Sequence, residues 1–189
     1  MAVDFFFDPP TYSIPSLSGL RSRWANIPNP DVAEMIAREE QYLLFHRFVL
    51  DHAKFTKVGE LHSKPYVYSL GLSVRAGAIK AAILVCASIA EAALRAHAEK
   101  REYKFPSEPT KRTFGRVISA WKSSRGKPRP DVRVVWKEIL KLRDARNNIH
   151  LFKAASDPSA DFKHVLDDEP GLLESGLKVV EHLSMLKSP

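Results

Sequence analysis

Four polar side chains near the end of one helix-like segment could do chemistry together: Arg143, Arg146, Asn147 and His150. Each residue of an α-helix advances by about 100°, so positions i, i+3, i+4 and i+7 lie on one face. Seven steps place Arg143 about 10 Å from His150 along the helix axis. The row of two guanidinium groups, an amide and an imidazole is therefore about as long as a phosphodiester with its two neighbouring riboses.

These residue types suit metal-free cleavage of RNA. A guanidinium group offers a rigid fork of donors for phosphate oxygens. An imidazole that titrates near pH 6.5 can take a proton from a ribose hydroxyl or give one to a leaving oxygen. The row thus carries the minimum set of groups for scission of a phosphodiester.

The segment from Arg143-Asp144 to His150 resembles the motif of HEPN domains (higher eukaryotes and prokaryotes nucleotide-binding domains). These are helical bundles in which an Arg, a gap of four to six residues and a His stand near the end of a late helix. Here the gap is six residues, and Asp is one of the types that commonly follow the Arg. The resemblance covers roughly residues 31–187. It implies a metal-independent endoribonuclease of a toxin or defence system, with RNA as substrate, a homodimer with one cleft, and an antitoxin or nucleotidyltransferase as partner.

The resemblance also implies a role for each residue of the row. His150 would act as general acid or base, Arg143 or Arg146 would stabilise the charge that develops on phosphorus, and Asn147 would orient the substrate or His150. The dipeptide Arg146-Asn147 is more typical of the family than Arg143-Asp144, but its gap to His150 is only three residues. The two arginines therefore remain alternatives.

The surrounding residues favour the Arg143–His150 match over a second Arg–His spacing in the chain. Arg47 and His52 also satisfy the spacing, but five steps turn the direction by about 140°, so their side chains diverge on a helix. Upstream, Ser88 and Glu91 form a polar stripe in an apolar segment, similar to the polar position that HEPN domains often keep in their second helix. A buried, unpaired Glu91 would cost several kcal/mol, so we expect one arginine of the motif to pair with it.

A basic block precedes the motif helix. The chain carries a net charge of +7, which favours polyanionic partners. Between residues 111 and 133 there are eight basic residues and one acid, Asp131. Such a block is ordinarily a solvated face, but it adjoins the motif, so we assign it to RNA binding. Its members are Lys111, Arg112, Arg116, Lys122, Arg125, Lys127, Arg129 and Arg133.

Prolines and apolar spacing divide the chain into an arm and a bundle. Five prolines within residues 1–30 argue against a regular helix, so we expect an extended arm that packs by its aromatic side chains. Residues 31–187 show helical spacing and no strand-like alternation, which predicts an all-α, four- to five-helix bundle. The expected helices span about 31–57, 69 or 73–102, 110–123, 131–150 or 152, and 172–186. The second is alanine-rich and should be the most buried.

Composition excludes several other classes of protein. The single cysteine, Cys86, rules out a disulfide framework or a thiolate zinc site. No glycine-rich phosphate loop, serine nucleophile motif or paired-carboxylate signature is found, and no cofactor or metal is implied. The remaining histidines lack zinc-type spacing, so we expect surface or capping residues. They are His46, His52, His62, His97, His164 and His182.

The sequence predicts neither a membrane-spanning helix nor a signal peptide. The most apolar segment, residues 76–96, is interrupted by Lys80, Glu91 and Arg95. Its uninterrupted part is about half of the roughly 20 apolar residues that a membrane span requires. The first residues are acidic rather than basic, unlike a signal peptide. We expect a buried helix and a cytoplasmic protein.

Two other interpretations stay open. The same fold can serve as a non-catalytic module that binds a nucleotide or a partner protein, an interpretation favoured if the acidic loop Asp157–Glu169 caps the motif row. In a plain helical scaffold, the row would be solvated surface and Glu91 would pair with Arg95 or Lys80. A row that faces a symmetric interface and a basic groove favours catalysis.

Overall fold

Helical periodicity produces six α-helices and no strand in the part of the chain that the structure, a computed structural model, describes: residues 14–52, 72–106, 108–148 and 169–187. The all-α class is confirmed. The helices are α1 (Leu17–Arg23), α2 (Pro30–His52), α3 (Leu72–Lys100), α4 (Phe114–Ala120), α5 (Trp136–Asn148) and α6 (Glu169–Ser184). Two 3-10 turns, Pro109–Lys111 and Pro130–Val135, precede α4 and α5. The four long helices, α2, α3, α5 and α6, make the bundle.

Helix α3 is the centre of the core, as its alanine-rich sequence predicts. It packs against α2, α4, α5 and α6, because small and apolar side chains cover nearly its whole circumference. Its fully buried residues include Ile79, Ile83, Cys86, Ile89 and Leu94. Residues Val74–Lys100 are long and apolar enough to cross a membrane, but 56% of the most apolar stretch is buried inside the bundle. This burial is the arrangement of a core helix.

A close approach at Gly176 sets the position of α6. A Cβ atom added there would lie 2.9 Å from Cys86 Sγ on α3 and 3.3 Å from Leu142 Cδ2 on α5. Any larger residue would push α6 away from both helices. Gly176 therefore allows α3, α5 and α6 to pack closely together.

Helix α1 overturns the prediction that the proline-rich arm lacks a regular helix. Twelve proline-free residues separate Pro15 from Pro28, and Ser16 caps the helix by accepting the Gly19 N–H at 3.3 Å. The predicted aromatic packing is confirmed at Trp24, which is fully buried and donates its indole N–H to Glu40 at 2.6 Å. The first 13 residues lie outside the described part.

The helix predicted over 110–123 is shorter in the structure. Thr113 is extended, so α4 begins at Phe114. It ends near Trp121, whose indole N–H donates to the Leu94 carbonyl on α3 at 2.9 Å. The next helix is also tighter at its start than predicted, because Val132 and Val135 are buried by a 3-10 turn before α5 begins. Its end beyond Asn148 lies outside the described residues.

Candidate functional site

Burial of one face of α5 determines where its polar row lies. Ile139 and Leu142 are fully buried against the core. Arg143 and Arg146 follow on the flank of that face, and their side chains are 34% and 37% exposed. Both guanidinium groups therefore sit at the boundary between core and solvent, while Asn147 is exposed.

Arg146 is the arginine that pairs with Glu91. Its Nη1 donates to Glu91 Oε2 across the α3–α5 contact, and the Glu91 side chain is only 20% exposed. The guanidinium carbon also lies 5.8 Å from the centre of the Phe114 ring at the start of α4. The predicted need of Glu91 for an arginine partner is thus confirmed, and the alternative pairing with Arg95 is wrong because Arg95 binds Glu99 at 2.9 Å.

Arg143 has a different partner. Its Nε and Nη2 donate to Oδ1 of the adjacent Asp144 at 2.8 and 2.6 Å. Asp144 is 57% exposed, so water competes for this pair. The two candidate arginines therefore bind separate carboxylates. His150 and residues 157–168 of the acidic loop lie outside the described residues, and the geometry of the row beyond Asn148 stays a prediction.

A cavity of about 610 Å³ opens beside Glu91. Its size is within the range of roughly 300–1,000 Å³ typical of small-ligand pockets. Among the described residues, its lining comes from the α1–α2 turn, the start of α2 and one stripe of α3. The residues are Pro28, Asn29, Val32, Ser88, Glu91, Ala92, Arg95, Ala96, Glu99 and Lys100. The predicted supporting residues Ser88 and Glu91 therefore share one cavity.

Sequence reasoning missed the far end of this stripe. Ser88, Glu91, Arg95 and Glu99 follow at spacings of three and four residues, which marks one polar face on the otherwise apolar α3. Glu99 accepts hydrogen bonds from Arg95 and from Arg112, the latter at 2.6 Å. Burial tends to raise the pKa of Glu99, but these two arginines outweigh it and lower the pKa below its usual value.

The basic block divides into members that contact a described partner and members that form no ion pair with a described residue. Arg129 lies over the Tyr103 ring at 3.7 Å, Arg112 binds Glu99, and Lys111 pairs with Glu108 at 3.0 Å. The other five side chains are exposed and form no ion pair with a described residue. They are Arg116, Lys122, Arg125, Lys127 and Arg133.

A tight turn presents three of these exposed cations. Lys122 and Pro128 form an antiparallel bridge, and the Ser123 N–H donates to the Lys127 carbonyl at 2.8 Å. Gly126 adopts a φ of 73°, which is unfavourable for residues with a side chain. We call residues 122–128 the basic turn. Its backbone bonds hold Lys122, Arg125 and Lys127 on a short, fixed loop.

One histidine contradicts the sequence prediction. His97 on α3 is fully buried, and neither ring nitrogen has a hydrogen-bond partner among the described residues. Burial lowers its pKa to about 4; the Arg101 charge adds to this effect and Asp131 opposes it. His46 and His182 are partly exposed, as predicted, and bond to the Tyr42 hydroxyl and to the Asp131 carbonyl. Side chains of the other three lie outside the description.

The single thiol has no reactive environment. Cys86 is buried in α3, and burial raises its pKa to about 12. In the described ranges, no three His, Cys, Asp or Glu side chains cluster closely enough to hold a metal ion.

Comparison with protein-family models, with curated proteins and with solved structures finds no match to this chain.

Proposed function

We propose that this chain is a metal-independent, HEPN-like endoribonuclease that acts in the cytoplasm as a homodimer, in a toxin or defence system. The observation that carries the proposal is the Glu91–Arg146 ion pair between α3 and α5. Glu91 in the core helix binds Arg146 of α5 and also lines the cavity, so the ion pair links the proposed motif helix to that cavity. Apolar packing of similar volume is often at least as stable as a buried ion pair, so this charge pair is consistent with a role beyond stability.

The contacts of the two arginines suggest a division of labour. Arg146 is held by Glu91 and by the Phe114 ring, which suits a positioning residue. Within the described residues, Arg143 pairs with its exposed neighbour Asp144, and a phosphate can replace a solvent-exposed carboxylate at little cost. Arg143 would then stabilise the charge on the reacting phosphate, while Asn147 orients the substrate. His150 would move the proton of the 2′-hydroxyl.

Exposed apolar residues on α3 support the proposal of a homodimer. Val74 and Leu84 are 51% and 36% exposed, and Gly77 and Ser88 are also exposed. These four positions fall within about 80° of one another around α3. The stripe leads from an apolar surface to the polar cavity, so a second copy that covers it would meet the proposed site.

A second candidate is a non-catalytic binding module. Both candidate guanidinium groups are already paired with carboxylates. This observation favours a site whose cations are structural, and such a protein would bind a nucleotide, an antitoxin or a nucleotidyltransferase without cutting RNA.

RNA cleavage by the purified chain in EDTA tests the proposal. We expect cleavage by the wild type and a loss of about 100-fold or more in His150→Ala. Arg143→Ala should lose activity at unchanged thermal stability, whereas Arg146→Ala should lose both. Arg47→Ala is the matched control, because this exposed arginine belongs to the divergent second spacing and pairs with the exposed Asp51 at 3.6 Å. Equal cleavage by the wild type and His150→Ala would contradict the nuclease and leave the binding module and the plain scaffold.

A further inference from the structure

The cavity beside Glu91 has two chemically different parts. One wall is apolar and is made of short side chains, Val32 on α2 with Ala92 and Ala96 on α3, and Pro28 adds to it from the α1–α2 turn. The rest is polar. Because short apolar side chains leave a broad, shallow surface, this wall suits the face of a planar ring.

The polar part offers groups for the edge of such a ring. Glu91 uses Oε2 for Arg146, and its Oε1 accepts no hydrogen bond from a described residue. Ser88 is exposed at the mouth. Asn29 uses its oxygen to cap α2, accepting the N–H groups of Asp31 and Val32 at 3.0 and 3.3 Å. Its amide N–H donors make no bond within the described part of the chain.

The charges of the lining decide which ligand fits. The lining holds two carboxylates, Glu91 and Glu99, and two cations, Arg95 and Lys100, so it offers a phosphate no net attraction. A neutral ring with an amino group would find acceptors instead, as when Glu accepts from the cytosine amino group. Of the nearby cations, Arg95 is bound to Glu99, Lys100 is exposed, and Arg146 is bound to Glu91 without lining the cavity. This arrangement matches a nucleotide with its base inside and its phosphate outside.

We propose that this cavity is a pocket for one unstacked RNA base that carries an exocyclic amino group, held against the Val32, Ala92 and Ala96 wall with its amino group toward Glu91. The inference rests on the proposed action on RNA and adds a base preference to it. Recognition of single-stranded RNA commonly uses bases that leave the stack and bond through their edges.

Binding of labelled octamers tests the pocket separately from cleavage. The full chain with His150→Ala is titrated with oligo(A), oligo(C) and oligo(U) at one fixed salt concentration, and fluorescence anisotropy is recorded. We expect oligo(A) and oligo(C) to bind roughly tenfold tighter than oligo(U), because a hydrogen bond from the amino group to the Glu91 carboxylate contributes about that factor or more. Ala92→Leu fills the pocket and should reduce all three to the oligo(U) affinity.

The control is Gly171→Leu on α6, away from the cavity lining and from the exposed stripe of α3. Gly171 is exposed, and a Cβ added there meets nothing within 4 Å, so the base preference should persist. Equal affinities of the three octamers, or a preference that survives Ala92→Leu, would overturn the pocket. Methyl NMR on the chain without pocket substitutions gives a second test. Free adenosine and cytidine should shift the methyl signals of Val32, Ala92 and Ala96, and unmoved signals would also overturn it.

The outcomes for the two proposals can be told apart. A chain that binds the octamers with a pocket-dependent preference but cuts no RNA retains the base pocket and loses the nuclease. A chain that cuts RNA through His150 without base preference retains the nuclease and loses the pocket. A chain that binds no octamer loses both.

Discussion

At the scale of single residues, the Glu91–Arg146 pair connects stability with the proposed chemistry. The Arg146 side chain is 37% exposed and that of Glu91 is 20% exposed, so water screens the pair only in part. Removing one partner leaves the other charge half-buried without its counter-ion. Each of the two side chains should therefore contribute more to the free energy of unfolding when the other is present.

A double-mutant cycle measures this dependence. We expect Glu91→Gln and Arg146→Met each to lower the free energy of unfolding by about 1–2 kcal/mol, and the pair to show a coupling of about 1 kcal/mol. Urea unfolding of the four proteins gives the value. The exposed pair Arg47–Asp51, at 3.6 Å, should show almost no coupling in the same cycle. A Glu91–Arg146 coupling equally close to zero would mean that the contact does not hold α5.

The buried His97 should make the stability depend on pH. Its pKa is lowered to about 4 in the folded chain, against about 6.5 when unfolded. The unfolded chain binds the additional proton between these values, so stability is retained above pH 6.5 and falls as the pH drops toward 4. The share from this group is as much as about 3 kcal/mol.

Urea unfolding at pH 7, 5.5 and 4.5 tests this expectation. His97→Leu should lose less stability between pH 7 and 4.5 than the wild type does. His46→Gln is the control, because His46 is bonded to the Tyr42 hydroxyl on the outer side of α2. If His97→Leu shows the same decline as the wild type, the buried imidazole is not the group that titrates.

At the scale of helices, the contact at Gly176 should be the least tolerant point of the bundle. Gly176→Ala places a Cβ atom 2.9 Å from Cys86 Sγ, and we expect a loss of about 1–3 kcal/mol in the free energy of unfolding. Gly171→Ala in the same helix meets nothing within 4 Å and should gain up to about 1 kcal/mol. Chemical denaturation compares them. Equal effects of the two substitutions would show that α6 does not approach α3 so closely.

Helix identity could be predicted from local sequence, whereas several boundaries could not. The alanine-rich run of α3 specifies a central helix by itself, and a carboxylate such as Glu91 within it requires a cationic partner. The early end of α4 depends on Trp121, whose indole reaches the Leu94 carbonyl on a distant helix. Such a contact has no signal in neighbouring residues.

Helix α1 and the cavity show two further limits. The five prolines of residues 1–30 led to the wrong prediction that this segment has no helix. Ser16 and the spacing of Leu17, Leu20 and Trp24 are nevertheless a local signal for α1. The cavity arises only when the α1–α2 turn docks beside α3, so its size could not be predicted. The row of polar residues could be predicted because helix geometry fixes the relative directions of side chains along the chain. The separate partners of Arg143 and Arg146 could not, because they depend on tertiary packing.

At the scale of the whole molecule, net charge and the basic turn should govern RNA affinity. Arg125 and Lys127 are exposed on a loop fixed by its backbone bonds. For single-stranded RNA, each neutralised phosphate contributes about 0.7 to the slope of log affinity against log salt. The double variant Arg125→Gln, Lys127→Gln should therefore reduce the slope by about 1.4.

The control carries the same change of charge elsewhere. Lys137 and Lys187 are exposed outside the basic block, and their double replacement by Gln should leave the slope nearly unchanged. Anisotropy titrations at several salt concentrations provide both slopes. A similar decrease in the two double variants would mean that overall charge, rather than the basic turn, attracts RNA.

The chemistry of the new RNA ends tests the proposed nuclease most directly. Wild-type chain and His150→Ala are incubated with a defined RNA in EDTA, and the products are identified by mass spectrometry. We expect 2′,3′-cyclic phosphate ends from the wild type, formed about 100-fold or more slowly by His150→Ala. Products with 3′-hydroxyl ends, or cyclic phosphate formed at the same rate by both proteins, would contradict a site formed by His150 and an arginine of α5.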